Sequence, residues 1–128
     1  MEPSNTFKKV PIARIPVDRS PMQHAFAMTQ NYAIVFEPPM YVEPSVFNIL
    51  FRNAMIKDMI KNDVNGTTNI HVIRLSDGHV TTLNTQQWSM ILHYGNSYEL
   101  DNDTIVVEGP AYENPVANPF EIFSYDNL

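Results

Sequence analysis

The apolar runs of this chain are short, and turn residues close each of them. "YAIVFE" (32–37) is stopped by Pro38-Pro39, and "TTNIHVIRL" (67–75) by Ser76-Asp77-Gly78. "WSMILHYG" (88–95) and "TIVVEGPAY" (104–112) are joined by the polar "LDND". Runs of this length, bounded by Pro, Asn, Asp and Gly, build strands and reversals. "HAFAMT" (24–29) alternates, with His24, Phe26 and Met28 on one face and the small Ala25 and Ala27 on the other. "YAIVFE" is apolar on both faces, the pattern of a buried strand, and two prolines cannot continue its ladder. "VPIARIPVD" (10–18) is extended and proline-punctuated, as expected of an edge strand. In "SDG" the glycine falls where a tight reversal needs positive φ, so a hairpin returning through "HVTTLNT" is expected. The tail "NPFEIFSYDNL" could add one more short strand.

One segment changes period. In "SVFNILFRNAMIKDMIKND" (45–63), Phe47, Leu50, Phe51, Ala54 and Met55 recur at helical spacing behind Ser45 as N-cap. Lys57 and Lys61 sit toward the C-terminal end, where the helix dipole favours positive charge, and "NDVNG" stops it. The expected fold class is all-β with one short helix, a sandwich or a propeller. Residues 1–9 are polar and expected to be loose.

A length of 128 residues suits a single domain with a real core. The net charge of −6, with eight scattered basic residues, argues against nucleic acid as a partner. The absence of cysteine excludes disulfides and Cys-based metal sites. No apolar h-region opens the chain and no run approaches a membrane span, so a cytoplasmic location without a transmembrane segment is expected.

The four histidines, His24, His71, His79 and His93, show no local metal spacing. His71 shares a strand face with Ile73 and Leu75 and reads as packed or partly exposed. His79 follows a turn and reads as exposed. His93 shares a face with Ile91, opposite Trp88, Met90, Leu92 and Tyr94. Pattern alone makes each a structural side chain more readily than a ligand.

Three stretches, in order, change that weighting: "SPMQHAFAMTQNYAIVFEPP", "TNIHVIRLSDGHVTTLNT" and "WSMILHYGNSYELDNDTIVVEGPAY". Together they resemble the carotenoid cleavage oxygenases, over roughly residues 10–113. The resemblance implies a seven-bladed β-propeller, of which this chain would supply two to three blades as one partial segment. It implies Fe(II) held on the propeller axis by four histidines, two of them matching His24 and His93. It also implies oxidative cleavage by O₂ of a carbon–carbon double bond in an apolar polyene, a carotenoid or apocarotenoid. A subset of the family isomerises and hydrolyses retinyl esters instead, and peripheral membrane contact of the complete parent is possible.

The other two ligands and the family's outer glutamates have no counterpart here, so the chain reads as a piece of a longer protein, incomplete and inactive alone. Glu37 and Glu99 match family glutamates, but strand-end and turn hydrogen bonding is the expected role of each. His71 and His79 fall on no ligand position. The competing expectation is a non-catalytic β-rich fragment that binds a ligand or a protein, with both matched histidines structural.

Overall fold

The computed structural model describes residues 9–45, 49–51, 56–101, 104–113 and 115. Eleven short strands fall within them, with helical residues at 49–51 and 56–59. The strands are β1 (Ser20–Pro21), β2 (Ala27–Met28), β3 (Tyr32–Glu37), β4 (Met40–Val42), β5 (Ile60–Asn62), β6 (Asn69–Arg74), β7 (Val80–Asn84), β8 (Met90–Ile91), β9 (Asn96–Asp101), β10 (Thr104–Glu108) and β11 (Ala111–Tyr112). The helical turn, α1, covers Ile56–Met59. The chain is mostly β-sheet, as its alternating runs predict.

The largest sheet is four-stranded and antiparallel, in the order β2-β3-β6-β7. Its β6–β7 hairpin forms where Asp77-Gly78 lies. Gly78 adopts φ 73°, and a Cβ there would fall 2.1 Å from the carbonyl oxygen of Ile12, so only glycine fits. The Asp77 carboxylate accepts the His79 backbone N–H at 3.0 Å and pairs with the Arg74 guanidinium at 3.1 Å, closing the turn. β3 is central, paired antiparallel with both β2 and β6. One face of this sheet, with Ile34, Phe36, Ile70 and Val72, looks across an open apolar groove at Ile105 and Val107 of β10.

A second sheet has the order β1-β4-β5, and two-stranded ladders join β8 to β11 and β9 to β10. The main core lies where β4, β5 and the β8 region meet. Met40, Ile60, Trp88, Met90 and Leu92 are buried together there, with Met22 and Val42 packed against them. The Trp88 indole N–H donates to Asn62 Oδ1 at 2.9 Å, so the ring is buried without stranding its donor. Thr68, fully buried, donates its hydroxyl to the Ser89 carbonyl at 2.6 Å and accepts the Ser89 N–H at 2.8 Å. These bonds lock the β8 region to the start of β6.

Several expectations need correction. "HAFAMT" is strand only at Ala27–Met28 and "WSMILHYG" only at Met90–Ile91, so His24 and His93 lie just outside the strands expected to carry them. Residues 10–18 form no strand: this segment is extended but makes no ladder, and lies against Gly78 and the edge of β7. The helix expected over 45–63 ends at Met59, and Ile60–Asn62 are strand β5 instead. The physical reason is pairing: Val42 faces Ile60 and Met40 faces Asn62, and this register buries Ile60 in the core. Leu50 and Phe51 of the expected apolar helix face are exposed, while Phe47, Ala54 and Met55 lie outside the described residues. "NSYELD" is strand β9, where only a turn at "LDND" is expected from sequence. "TIVVEGPAY" is split into β10 and β11, the latter folding back onto β8. The expected tail strand and residues 1–8 of the expected loose N-terminus lie outside the described residues.

Candidate metal-binding site

His24 and His93 lie on the two places where the chain crosses between sheets. β1 is anchored on β4, and β2 on β3, so residues 22–26 form the crossing between them. Just before His24, the Met22 N–H donates to the Met40 carbonyl at 2.8 Å and the Met22 side chain packs on the core. His93 lies on the crossing from β8 to β9. Leu92 beside it is buried in the same core, and the Gly95 N–H donates to the Glu108 carbonyl at 2.8 Å just after it. Trp88, Met90 and Leu92 point inward, and the intervening parity leaves His93 on the open side. One core therefore fixes the approach to both histidines.

The two crossings bring the imidazoles together. Their ring centroids are 4.8 Å apart with an interplanar angle of 71°, an edge-to-face arrangement, and both side chains are exposed. The segments after them stay side by side. Ser97 donates its hydroxyl to the Met28 carbonyl, and Glu99 accepts two hydrogen bonds from Asn31. Partners advance in the same direction along both segments, 69, 69 and 68 residues apart in sequence, so the segments run parallel. Parallel neighbours from different sheets cannot be joined by a tight turn, which is why the pair is so far apart in the chain.

Gly109 fits this arrangement closely. A Cβ at that position would lie 2.7 Å from the His93 carbonyl oxygen, closer than real Cβ atoms approach backbone. Gly109→Ala should push the His93 backbone away and cost about 1–3 kcal/mol by overpacking. A urea midpoint unchanged from wild type would show that the His93 segment has room to yield.

Two imidazoles in contact offer nitrogen donors of the kind a metal ion takes. Among the described residues no group of three or more His, Asp or Glu side chains could hold a metal ion. The other histidines stand elsewhere. His71 is buried within the four-stranded sheet, its Nε2 2.8 Å from Glu37 Oε2 and its Nδ1 2.9 Å from Thr82 Oγ1. The arrangement matches a ring whose Nε2–H donates to the carboxylate and whose Nδ1 accepts the hydroxyl. With both nitrogens occupied, His71 is a structural side chain, as its strand position suggests. His79 is exposed beyond its turn.

Glu37 makes strand-end hydrogen bonds, to His71 and to Asn69 Nδ2 at 3.2 Å. Glu99 does not bond within a turn as expected. It sits within β9 opposite Ile105 and bonds to Asn31, 68 residues earlier. The Thr29 hydroxyl, followed by the side-chain and backbone donors of Asn31, holds the Glu99 carboxyl below the usual glutamate range. A depressed folded-state pKa means the charged form is favoured by folding. This contribution is complete above the ordinary glutamate range and disappears as pH falls through the lowered folded value. Between about pH 6 and about pH 3, Glu99→Gln should therefore show a shallower loss of stability than wild type, measured as the urea midpoint. Parallel curves would mean that the Asn31 contact does not form in solution. Asp77, lowered chiefly by the His79 N–H, loses stability in the same direction, and the variant leaves that part unchanged.

Among the described residues, no helix is long and apolar enough to cross a membrane. The family model described as retinal pigment epithelial membrane protein (RPE65) matches residues 2–128, and no curated protein matches the chain. A match over nearly the whole chain shows that it belongs to that family.

Proposed function

As a member of the retinal pigment epithelial membrane protein family, this chain carries its histidines in a shared framework, and we propose that they serve a non-haem Fe(II) oxygenase. In that reading His24 and His93 are two of the iron's protein ligands, and the remaining donors come from chain beyond this segment. The substrate is an apolar polyene, a carotenoid or apocarotenoid, cleaved at one carbon–carbon double bond. Each carbon of that bond leaves as a carbonyl, and one O₂ supplies both oxygens. The four-stranded sheet and its parallel neighbour are then parts of successive blades of a seven-bladed propeller, their innermost segments lining the axis.

The observation that carries the reading is the edge-to-face contact of His24 and His93 at 4.8 Å, made by two crossings 69 residues apart. Holding two exposed rings against each other costs side-chain entropy, which a metal ion bound by both would offset. Bound Fe(II) supplies the O₂ chemistry. The chain's own residues do simpler work. The core under Met22 and Leu92 fixes where the rings project, and their exposure leaves them open to further ligands and to substrate. A polyene has no polar group to grip, so orientation must come from apolar walls.

The test is to isolate the protein in its native form, determine iron per chain, and incubate it with ¹⁸O₂ and an apocarotenoid. Stoichiometric iron and two labelled carbonyl products are expected. Native protein that is free of iron and inert toward the polyene would overturn the oxygenase reading in favour of a non-catalytic binding module.

A further inference from the structure

We infer that Glu99 is a positioning residue, whose carboxylate clamps Asn31 and thereby sets the register that brings His24 and His93 together. The consequence for iron rests on the function proposed above, whereas the clamp itself stands on geometry. Glu99 Oε1 accepts the Asn31 backbone N–H at 3.0 Å, and Oε2 accepts the Asn31 side-chain N–H at 2.9 Å. Both ends are firmly held. Asn31 lies in the β2–β3 turn, closed by the Thr29 N–H donating to the Tyr32 carbonyl at 2.9 Å, and its own carbonyl accepts the Leu75 N–H at 2.9 Å. Glu99 is laddered to Ile105 within the β9–β10 hairpin.

Among the described residues, no backbone ladder joins the two parallel segments, so side-chain bonds set their relative position. Asn31 follows His24 by seven residues and Glu99 follows His93 by six. The clamp and the ring pair are thus opposite ends of one contact. A slip of one residue along it, about 3.3 Å, would part the rings and turn alternate side chains to the other face. A carboxylate alone suits the position, because it accepts both donors at once in charge-assisted bonds. Glutamine would present an NH₂ group to the Asn31 amide, with one oxygen for two donors.

The experiment uses the full chain as wild type, Glu99→Gln, Asn31→Ala and Asp77→Ala. Three quantities are compared: the His24–His93 ring NOE, Fe²⁺ affinity by anaerobic titration, and the melting temperature. Asp77→Ala is the control, since it breaks a surface turn elsewhere. The expected result is that Glu99→Gln loses the NOE and binds Fe²⁺ about 10–100-fold more weakly, the range for partners that orient ligands. Asn31→Ala, which keeps the backbone bond, should fall between, and Asp77→Ala should change the melting temperature alone.

If Glu99→Gln keeps the NOE and the wild-type affinity, or if it does not fold and Asn31→Ala keeps both, Glu99 is merely structural and the inference fails. A wild-type chain lacking the NOE would overturn it as well. If wild type shows the NOE but takes up no Fe²⁺, loss of the NOE in Glu99→Gln still upholds the clamp while the iron reading falls.

Discussion

Trp88→Ala is expected to lower the unfolding free energy by about 3–5 kcal/mol, the cost of removing a large buried aromatic side chain. That is a large part of the 5–15 kcal/mol available to an ordinary domain. Trp88 is 6% exposed and sits in the core with Met40, Ile60, Met90 and Leu92. Truncation would leave a cavity and remove the indole N–H bonded to Asn62. Trp88→Phe keeps most of the volume and loses that bond, so a smaller cost of about 1–3 kcal/mol is expected. Urea denaturation separates the two, with a fallen midpoint at unchanged slope as the signature of lost stability. A Trp88→Ala change under about 1 kcal/mol would mean that the core does not close around the ring in solution. The effect reaches the candidate site, because the same core holds Met22 and Leu92 beside the two histidines.

His24→Ala and His93→Ala should each abolish Fe²⁺ binding by the chain within a titration that detects the wild-type affinity. Removing one of two imidazoles leaves a single donor, which does not compete with water for a divalent cation. Neither change should greatly affect folding, since both rings are exposed and substitutions away from buried features usually cost within about 0.5 kcal/mol. His71→Ala gives the opposite pattern. It removes a buried ring bonded to Glu37 and Thr82, so folding should weaken while Fe²⁺ binding persists under native conditions. A His24→Ala variant that bound Fe²⁺ like wild type would place the ion elsewhere.

Local chemistry made parts of this fold readable from sequence. The β6–β7 hairpin follows from period-two alternation around Asp77-Gly78, and β3 from an apolar run stopped by two prolines. The alternation around His93 likewise gave the inward face of Trp88, Met90 and Leu92. The failures have equally physical causes. Helical periodicity ran past Met59, but pairing with β4 claimed Ile60–Asn62 as strand, which no local signal announces. β9 did carry a period-two signal in Tyr98 and Leu100. Its polar residues and weak burial hid that signal, and the strand depends on its partner β10. Nothing in composition or spacing pairs His24 with His93 or Asn31 with Glu99. Those contacts exist only once two distant crossings lie parallel, and motif resemblance alone singled out the histidines.

The most direct measurement of the central claim is iron K-edge X-ray absorption on the anaerobically Fe(II)-loaded chain and its single histidine variants. Two imidazoles per iron are predicted for wild type, and no histidine-bound iron for His24→Ala or His93→Ala. A wild-type spectrum without imidazole scattering, or variant spectra that match the wild type, would contradict the account.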